Sequence, residues 1–134
     1  MIKTRNVSKD FYKNYLQKAE EYFQTMNQEF EQKRYNSCVL GAIHCCISTA
    51  DALTVFYKGV RHAGEKHEDV VQLLETLEID REVLKSKARQ ILSVLQLKNM
   101  TEYEEKLTTE NGALAAIKST ERFYGWVKEM LLEH

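Results

Sequence analysis

The sequence contains no proline and only five glycines among its 134 residues. These two residue types build most tight turns, and a β-sandwich or barrel needs many of them. Their scarcity argues against an all-β fold and favours long helices with few connections. The hydrophobic fraction of 43% and the charged fraction of 29% are ordinary for a globular chain. We therefore predict that residues 1–134 form a single domain with one core.

An excess of charge of one sign is also missing. There are 19 basic and 20 acidic residues, and the formal net charge is −1. A domain that binds nucleic acid by neutralising phosphates usually has a basic excess. Strong autonomous binding of DNA or RNA is therefore not expected, although locally basic patches and weak binding stay open.

The sequence also lacks the features of a secreted or membrane protein. The first ten residues carry charges and lack the apolar run of a signal peptide, and we find no apolar stretch that approaches the roughly 20 residues of a membrane span. The three cysteines, Cys38, Cys45 and Cys46, lie on one predicted helix and do not make a disulfide framework. We expect a cytoplasmic protein in which these cysteines are buried as small apolar side chains.

Five segments have apolar residues at three- and four-residue steps, which is the pattern of an amphipathic helix. The predicted helices run from Ser8 or Asp10 to Phe30, from Asn36 to Lys58, from Val70 to Leu77, from Asp80 to Leu95, and from Thr108 or Thr109 to Leu131. The second is apolar over most of its circumference, so we place it at the centre. The predicted fold is all-α, an antiparallel bundle of four to five helices with no β-sheet. Its core should contain Ile43, Ile47, Leu53, Ile91, Leu95, Ile117 and Val127.

The segments between the helices are also predictable. Gly59 stands where a left-handed helix cap would fall, and the polar stretch from Val60 to Glu68 is predicted to be a loop. A break in the helical pattern falls near Lys98–Leu107. The basic residues near the N-terminus are interpreted as part of a solvated tail; they are Lys3, Arg5 and Lys9.

Three stretches, in this order and spacing, carry a resemblance to a known family. They are Tyr15-Leu-Gln-Lys-Ala-Glu-Glu-Tyr followed by Lys33-Arg-Tyr-Asn-Ser-Cys; Ala42-Ile-His-Cys-Cys-Ile-Ser-Thr-Ala-Asp-Ala-Leu followed by Gly59 and His67; and Lys98-Asn-Met-Thr-Glu-Tyr103 followed by Arg122-Phe-Tyr-Gly-Trp-Val. Together they resemble the HEPN domain family. The resemblance implies a bundle of four or five helices that commonly forms a homodimer. Many members are metal-independent ribonucleases of toxin–antitoxin and defence systems. Others lack the catalytic residues and act as binding modules, often beside a nucleotidyltransferase.

The catalytic members carry an arginine followed, after four to six residues, by a histidine. The matching positions here are Lys98 and Tyr103, with Asn99 directly after the basic residue. A phenol with a pKa of about 10 is a poor proton acceptor at pH 7 compared with an imidazole, and lysine lacks the planar fork by which arginine holds a phosphate. We therefore predict no catalytic residues, and a ligand-binding site formed by Lys98, Asn99 and Tyr103 in a groove shared between subunits.

Four other residues are secondary candidates for a functional site. Arg61 and His67 have the family's spacing, but they lie in the loop after the central helix, away from the Lys98 segment, and a solvated loop is the plainer interpretation. His44 and Asp51 lie seven residues apart along the central helix. A buried carboxylate needs a partner, so the plainer interpretation of Asp51 is a side chain that faces solvent or pairs with a lysine.

No metal site or cofactor is predicted, because no glutamate stands three residues before a histidine and the cysteines lack the usual Cys-x-x-Cys spacing. The adjacent aromatic residues Phe123, Tyr124 and Trp126 cannot all face one core, so at least one should be exposed or lie in a dimer interface.

The leading functional hypothesis is a non-catalytic HEPN-type binding or partner module that recognises a nucleotide, RNA or a protein, with a nucleotidyltransferase or antitoxin as the implied partner. The alternatives are an endoribonuclease with a variant pair, either Lys98 with Tyr103 or Arg61 with His67, and a purely structural interaction domain.

Overall fold

The computed structural model describes residues 2–64 and 66–132 of the chain. The elements in chain order are β1 (Thr4–Asn6), a short 3-10 helix (Lys9–Phe11), α1 (Tyr12–Glu31), α2 (Tyr35–Lys58), β2 (Val60–His62), α3 (Glu68–Leu74), α4 (Arg81–Leu95), α5 (Lys98–Tyr103) and α6 (Glu110–Leu132). The predicted all-α helical bundle is confirmed. The predicted break near Lys98 is wrong in its first part, because Lys98–Tyr103 is a short helix.

Helix α2 lies at the centre and contacts all five other α-helices. By length and composition it could cross a membrane, so the expectation that no apolar stretch is long enough is wrong. However, 78% of its apolar window is buried inside the bundle, as in a core helix. A helix that is apolar around most of its circumference is buried because neighbouring helices must cover all of its sides.

The helices α1 and α2 pack most closely near Gly41. A Cβ atom added at Gly41 would lie 3.1 Å from the backbone nitrogen and Cα of Met26. On the same helix Cys38, Cys45 and Cys46 are free and buried, as predicted. Burial raises the pKa of the Cys46 thiol to about 12, so it packs as a neutral side chain at pH 7.

Three predicted helix ends are confirmed by their hydrogen bonds. The Asp80 carboxylate accepts from the backbone N–H groups of the second and third residues of α4, at 2.9 and 3.1 Å. Gly59 adopts φ 65° and donates its N–H to the Val55 carbonyl at 2.9 Å. The Thr109 hydroxyl accepts from the Gly112 N–H at 3.0 Å. The first helix, predicted to start at Ser8 or Asp10, begins as the 3-10 helix at Lys9 and continues as α1 from Tyr12, and Ser8 makes no side-chain cap bond.

The predicted solvated tail and the predicted loop form a β-ribbon instead. Strands β1 and β2 pair antiparallel, with Arg5 opposite Arg61, and the expectation of no β-sheet is therefore wrong. Backbone hydrogen bonds extend the pairing, from Ala63 N–H to the Lys3 carbonyl at 2.7 Å and from Val7 N–H to the Gly59 carbonyl at 2.9 Å. Three-residue strands are too short for the alternation of apolar and polar residues that would have predicted them.

Six of the seven predicted core residues are buried; they are Ile43, Leu53, Ile91, Leu95, Ile117 and Val127. Ile47 is only partly buried, so its assignment to the core is wrong. The three aromatic residues of the last helix do not face one core, as predicted, and whether one of them lies in a dimer interface stays a prediction. Phe123 and Tyr124 are buried in two separate clusters, and Trp126 packs partly buried against the first. This is possible because α6 contacts α1, α2 and α4 on different sides.

Candidate functional site

A pocket of about 220 Å³ lies where the end of α4 and the start of α5 meet the start of α3. Its lining consists of Lys66, His67, Glu68, Leu95, Gln96, Lys98 and Asn99. Two residues of the predicted site, Lys98 and Asn99, are therefore brought together with the secondary candidate His67. The expectation that His67 lies away from the Lys98 segment is wrong, because chain distance between two loops says little about their distance in a bundle.

His67 is half-buried, and its imidazole has no hydrogen-bond partner among the described residues. Both of its ring nitrogens are shielded from solvent and have no hydrogen-bond partner within residues 2–64 and 66–132. Burial lowers the pKa of His67, and the charges of Lys98, His62 and His44 lower it further, while Glu68 opposes them. At pH 7 the ring is therefore neutral, its N–H group lacks an acceptor and its other nitrogen lacks a donor among the described residues.

Lys98 is partly neutralised by its neighbours on α5. Its Nζ lies 3.7 Å from the Glu102 carboxylate, one helical turn away, and 5.9 Å from the centre of the Tyr103 ring. Tyr103 is 72% exposed and does not line the pocket. The three residues of the predicted site thus lie near each other, but only Lys98 and Asn99 face the same cavity.

Asp51 is buried, with 4% of its surface exposed, and its partners come from the ribbon. Its carboxylate lies 3.3 Å from Nδ1 of His62 and 3.8 Å from Nε of Arg61. The interpretation that Asp51 faces solvent or pairs with a lysine is therefore wrong. His62 was missed by the sequence analysis, although a buried carboxylate on an apolar helix indicates that some partner must exist. His44 does not share this cluster and stacks on Tyr22 at 5.2 Å.

Residues 12–130 match the HEPN domain in a comparison with protein families. The chain belongs to the HEPN domain family. The match covers all six α-helices up to two residues before the end of α6, so it includes the whole bundle but not the β1 strand. A search of curated proteins gives no match.

In this HEPN domain Lys98 and Tyr103 lie on α5, while the imidazole in the pocket comes from His67 directly before α3. The arrangement therefore places a cation and a neutral imidazole beside one cavity, although not on one segment. A cation and an amide can hold an anionic group such as a phosphate.

A second polar cluster of the HEPN domain was not predicted. The Tyr124 hydroxyl donates a hydrogen bond to Glu20, and Lys128 Nζ lies 4.0 Å from the same carboxylate. The Tyr124 hydrogen bond is the largest cause that lowers the pKa of Glu20, and burial followed by this bond raises the pKa of Tyr124. The cluster ties α1 to α6, and no periodicity in the sequence marks it because it joins residues 104 positions apart.

The structure shows no group of three potential metal ligands within the residues it describes, among histidine, cysteine, aspartate and glutamate side chains.

Proposed function

We propose that this HEPN domain is a non-catalytic binding module in which Lys98 and Asn99 hold an anionic group of a nucleotide, an RNA or a protein partner. The proposal rests on the pocket in which these two side chains meet. The family resemblance alone supports a toxin–antitoxin or defence setting in the cytoplasm, with a nucleotidyltransferase or antitoxin as partner.

The shielding of His67 carries the non-catalytic part of the proposal. Metal-independent RNA cleavage needs a base within hydrogen-bond reach of the 2′-hydroxyl, directly or through one water. Both ring nitrogens of His67 are inaccessible to solvent, so a hydroxyl group cannot approach them while this conformation holds. Tyr103, at the position that the resemblance matches to the catalytic histidine, is a phenol and not an imidazole, and it does not line the pocket.

Binding through Lys98 should be weak to moderate. Lysine acts as a point charge, without the two parallel hydrogen bonds of an arginine, and Glu102 at 3.7 Å competes for it. An anion that displaces Glu102 gains a charge-assisted hydrogen bond, while Asn99 offers a further amide donor.

The test is incubation of the purified protein with a labelled single-stranded RNA, followed by gel analysis for cleavage and by fluorescence anisotropy for binding. We expect intact RNA over long incubation and about tenfold weaker binding for Lys98→Gln, a change of about 1.4 kcal/mol. Lys118→Gln is the matched control, since Lys118 is exposed on α6 and lines no part of this pocket. Equal affinities of wild type and Lys98→Gln would contradict the assignment of the pocket.

A variant endoribonuclease is the second candidate, favoured by the meeting of Lys98 and His67 in one pocket. In that case the wild type cuts RNA, and cutting disappears in both Lys98→Ala and His67→Ala. Loss of cutting in Tyr103→Phe would instead assign the phenol of Tyr103 to the reaction. Any specific cleavage of this kind would overturn the non-catalytic proposal.

We further propose that the domain forms a twofold homodimer, which is the assembly that the family resemblance implies. A standard interface buries about 1,200–2,000 Å² in total and uses the same patch on both chains. Sedimentation at micromolar concentration should give about twice the chain mass of 15.7 kDa. A single species of the chain mass would contradict the proposal.

A further inference from the structure

Three cations gather at the β1–β2 ribbon, in a pocket separate from the one that contains Lys98. The pocket has a volume of about 460 Å³ and is lined by residues of β1, the 3-10 helix, α1 and β2. Arg5, Lys18 and Arg61 supply its charge, and Phe11 and Tyr15 supply its aromatic rings. None of the described residues that line it is acidic.

The placement of the cations is unfavourable in the absence of an anion. Arg5 and Arg61 are directly opposite in the antiparallel ribbon, and like charges in such positions are destabilising because the side chains stand about 4.5–5.5 Å apart at Cβ. Lys18 and Arg61 also approach the same Tyr15 ring, at 5.6 and 5.9 Å from its centre. One aromatic ring thus contacts two cations.

The carboxylate of Asp51 neutralises this group of three cations only in part. Asp51 Oδ2 is 3.8 Å from Nε of Arg61, too far for a hydrogen bond, and Nε has no hydrogen-bond partner within the described residues although it is shielded from water. Asp51 is also in contact with His62. Arg5 and Lys18 form no ion pair with any described residue. The guanidinium of Arg61, 30% exposed, therefore has donors left for a ligand.

We propose that this pocket binds a phosphate monoester that carries an aromatic group. A phosphate monoester is close to a dianion at pH 7. Placed between Arg5 and Arg61, it converts their repulsion into two attractions and can accept paired hydrogen bonds from each guanidinium. Phe11, at 51% exposure, offers a ring against which the organic part can stack. Asn14 on α1 adds an amide at the rim.

Calorimetric titration of the full chain with phenyl phosphate and with inorganic phosphate tests the proposal. We expect both to bind, with phenyl phosphate tighter. Arg5→Gln and Lys18→Gln should each weaken both ligands about tenfold, whereas Phe11→Ala should weaken phenyl phosphate and leave inorganic phosphate unchanged. The matched controls are Arg122→Gln and Lys118→Gln, which remove the same charges from exposed positions on α6.

A second readout is independent of binding. Without ligand, Arg5→Gln removes the cross-strand repulsion and should raise the Tm by about 1–3 °C, while Arg122→Gln should not. If Arg5 had a purely structural role, Arg5→Gln would lower the Tm instead. The combination of higher stability and weaker binding is the expected signature of a charge kept for a ligand.

Two sources of the phosphate monoester are distinguished by a further pair of ligands, a short oligoribonucleotide with a 5′-phosphate and the same oligonucleotide with a 5′-hydroxyl. If the oligonucleotide with a 5′-phosphate binds more tightly than phenyl phosphate, and this binding is lost in Arg5→Gln, the ligand of the pocket is the end of an RNA. Equal binding of the two oligonucleotides alongside tight phenyl phosphate binding assigns a small molecule.

The inference is overturned if wild type binds neither phosphate nor phenyl phosphate at millimolar concentration, or if Arg5→Gln and Lys18→Gln bind as tightly as wild type. It is also overturned if Lys98→Gln alone abolishes phenyl phosphate binding, since the ligand would then occupy the other pocket. The proposed binding role of Lys98 does not depend on these results.

Discussion

Gly41 and Gly125 are both helical glycines, but they differ in the space around them. An alanine methyl group at Gly41 would press on the backbone of Met26 at 3.1 Å, whereas one at Gly125 meets nothing within 4 Å. The backbone of α1 cannot move without disturbing the buried crossing, so Gly41→Ala should lower the free energy of unfolding by about 1–3 kcal/mol. Gly125→Ala should raise it by about 0.5–1 kcal/mol, because alanine loses less backbone entropy in a helix.

Urea unfolding of both variants measures this difference in sign. If Gly41→Ala were stabilising by as much as Gly125→Ala, the close approach of α1 and α2 would be wrong. The pair of variants separates steric fit from helix propensity, since both substitutions change propensity equally.

Helix caps are residues whose role could be predicted from the sequence. Asp80, Gly59 and Thr109 cap their helices as predicted because capping depends on residues within three or four positions of each other. The partners of Asp51 could not be named in the same way. The need for a partner follows from burial of a carboxylate, but which side chain meets it depends on the path of the ribbon.

At the scale of elements, Asp51 joins the ribbon to the central helix. Asp51→Ala leaves His62 and Arg61 without their carboxylate and should lower the free energy of unfolding by about 2–4 kcal/mol. The range extends down to about 2 kcal/mol because Arg61 is partly exposed, so water compensates in part for the lost carboxylate. Asp51→Asn keeps an acceptor and the side-chain volume, and should cost less.

The control for this prediction is Asp10→Ala, since Asp10 is exposed next to the ribbon and should change the stability by no more than about 0.5 kcal/mol. Chemical denaturation at pH 7 provides the measurement. A loss for Asp51→Ala as small as that of the control would show that the ribbon does not depend on this contact.

Long helices were predictable, whereas α5 and the two β-strands were not. The apolar stripes of α1, α2, α4 and α6 extend over several turns, so their periodicity exceeds chance. By contrast, α5 has six residues and each β-strand has three, which is less than two full periods of the apolar pattern that marks a buried face. The candidate site depends on these short elements. This is why Lys98, Asn99 and Tyr103 were identified by family resemblance, and why the position of His67 beside them was not foreseen.

At the scale of the whole molecule, the protonation of His67 links stability to pH. Its pKa in the folded state is lowered by burial and by Lys98, His62 and His44, whereas in the unfolded chain it returns to about 6.5. Below that value the unfolded state binds a proton that the folded state resists, so the free energy of unfolding falls with the pH. Above about pH 7.5 His67 makes no contribution to the slope.

We therefore expect the wild type to lose stability relative to His67→Gln as the pH falls from 8 to about 5. Carboxylates with lowered pKa values, such as Glu20 and Glu29, also lower the stability in acid, but they are present in both proteins and cancel in the difference. Unfolding by urea at several pH values gives that difference. A wild type that gains stability relative to the variant in acid would mean that the proton stabilises His67 in the fold.

An anion held beside Lys98 should reverse part of this effect. A phosphate in the pocket neutralises the charge that lowers the His67 pKa and favours the protonated ring. At pH 6 and constant ionic strength, added phosphate should therefore reduce the stability difference between wild type and His67→Gln. In Lys98→Gln the same addition should have little effect, since both the anchor for the anion and the repulsion on His67 are gone. If added phosphate had an effect of the same size in the wild type and in Lys98→Gln, the phosphate would not act through the proposed binding pocket.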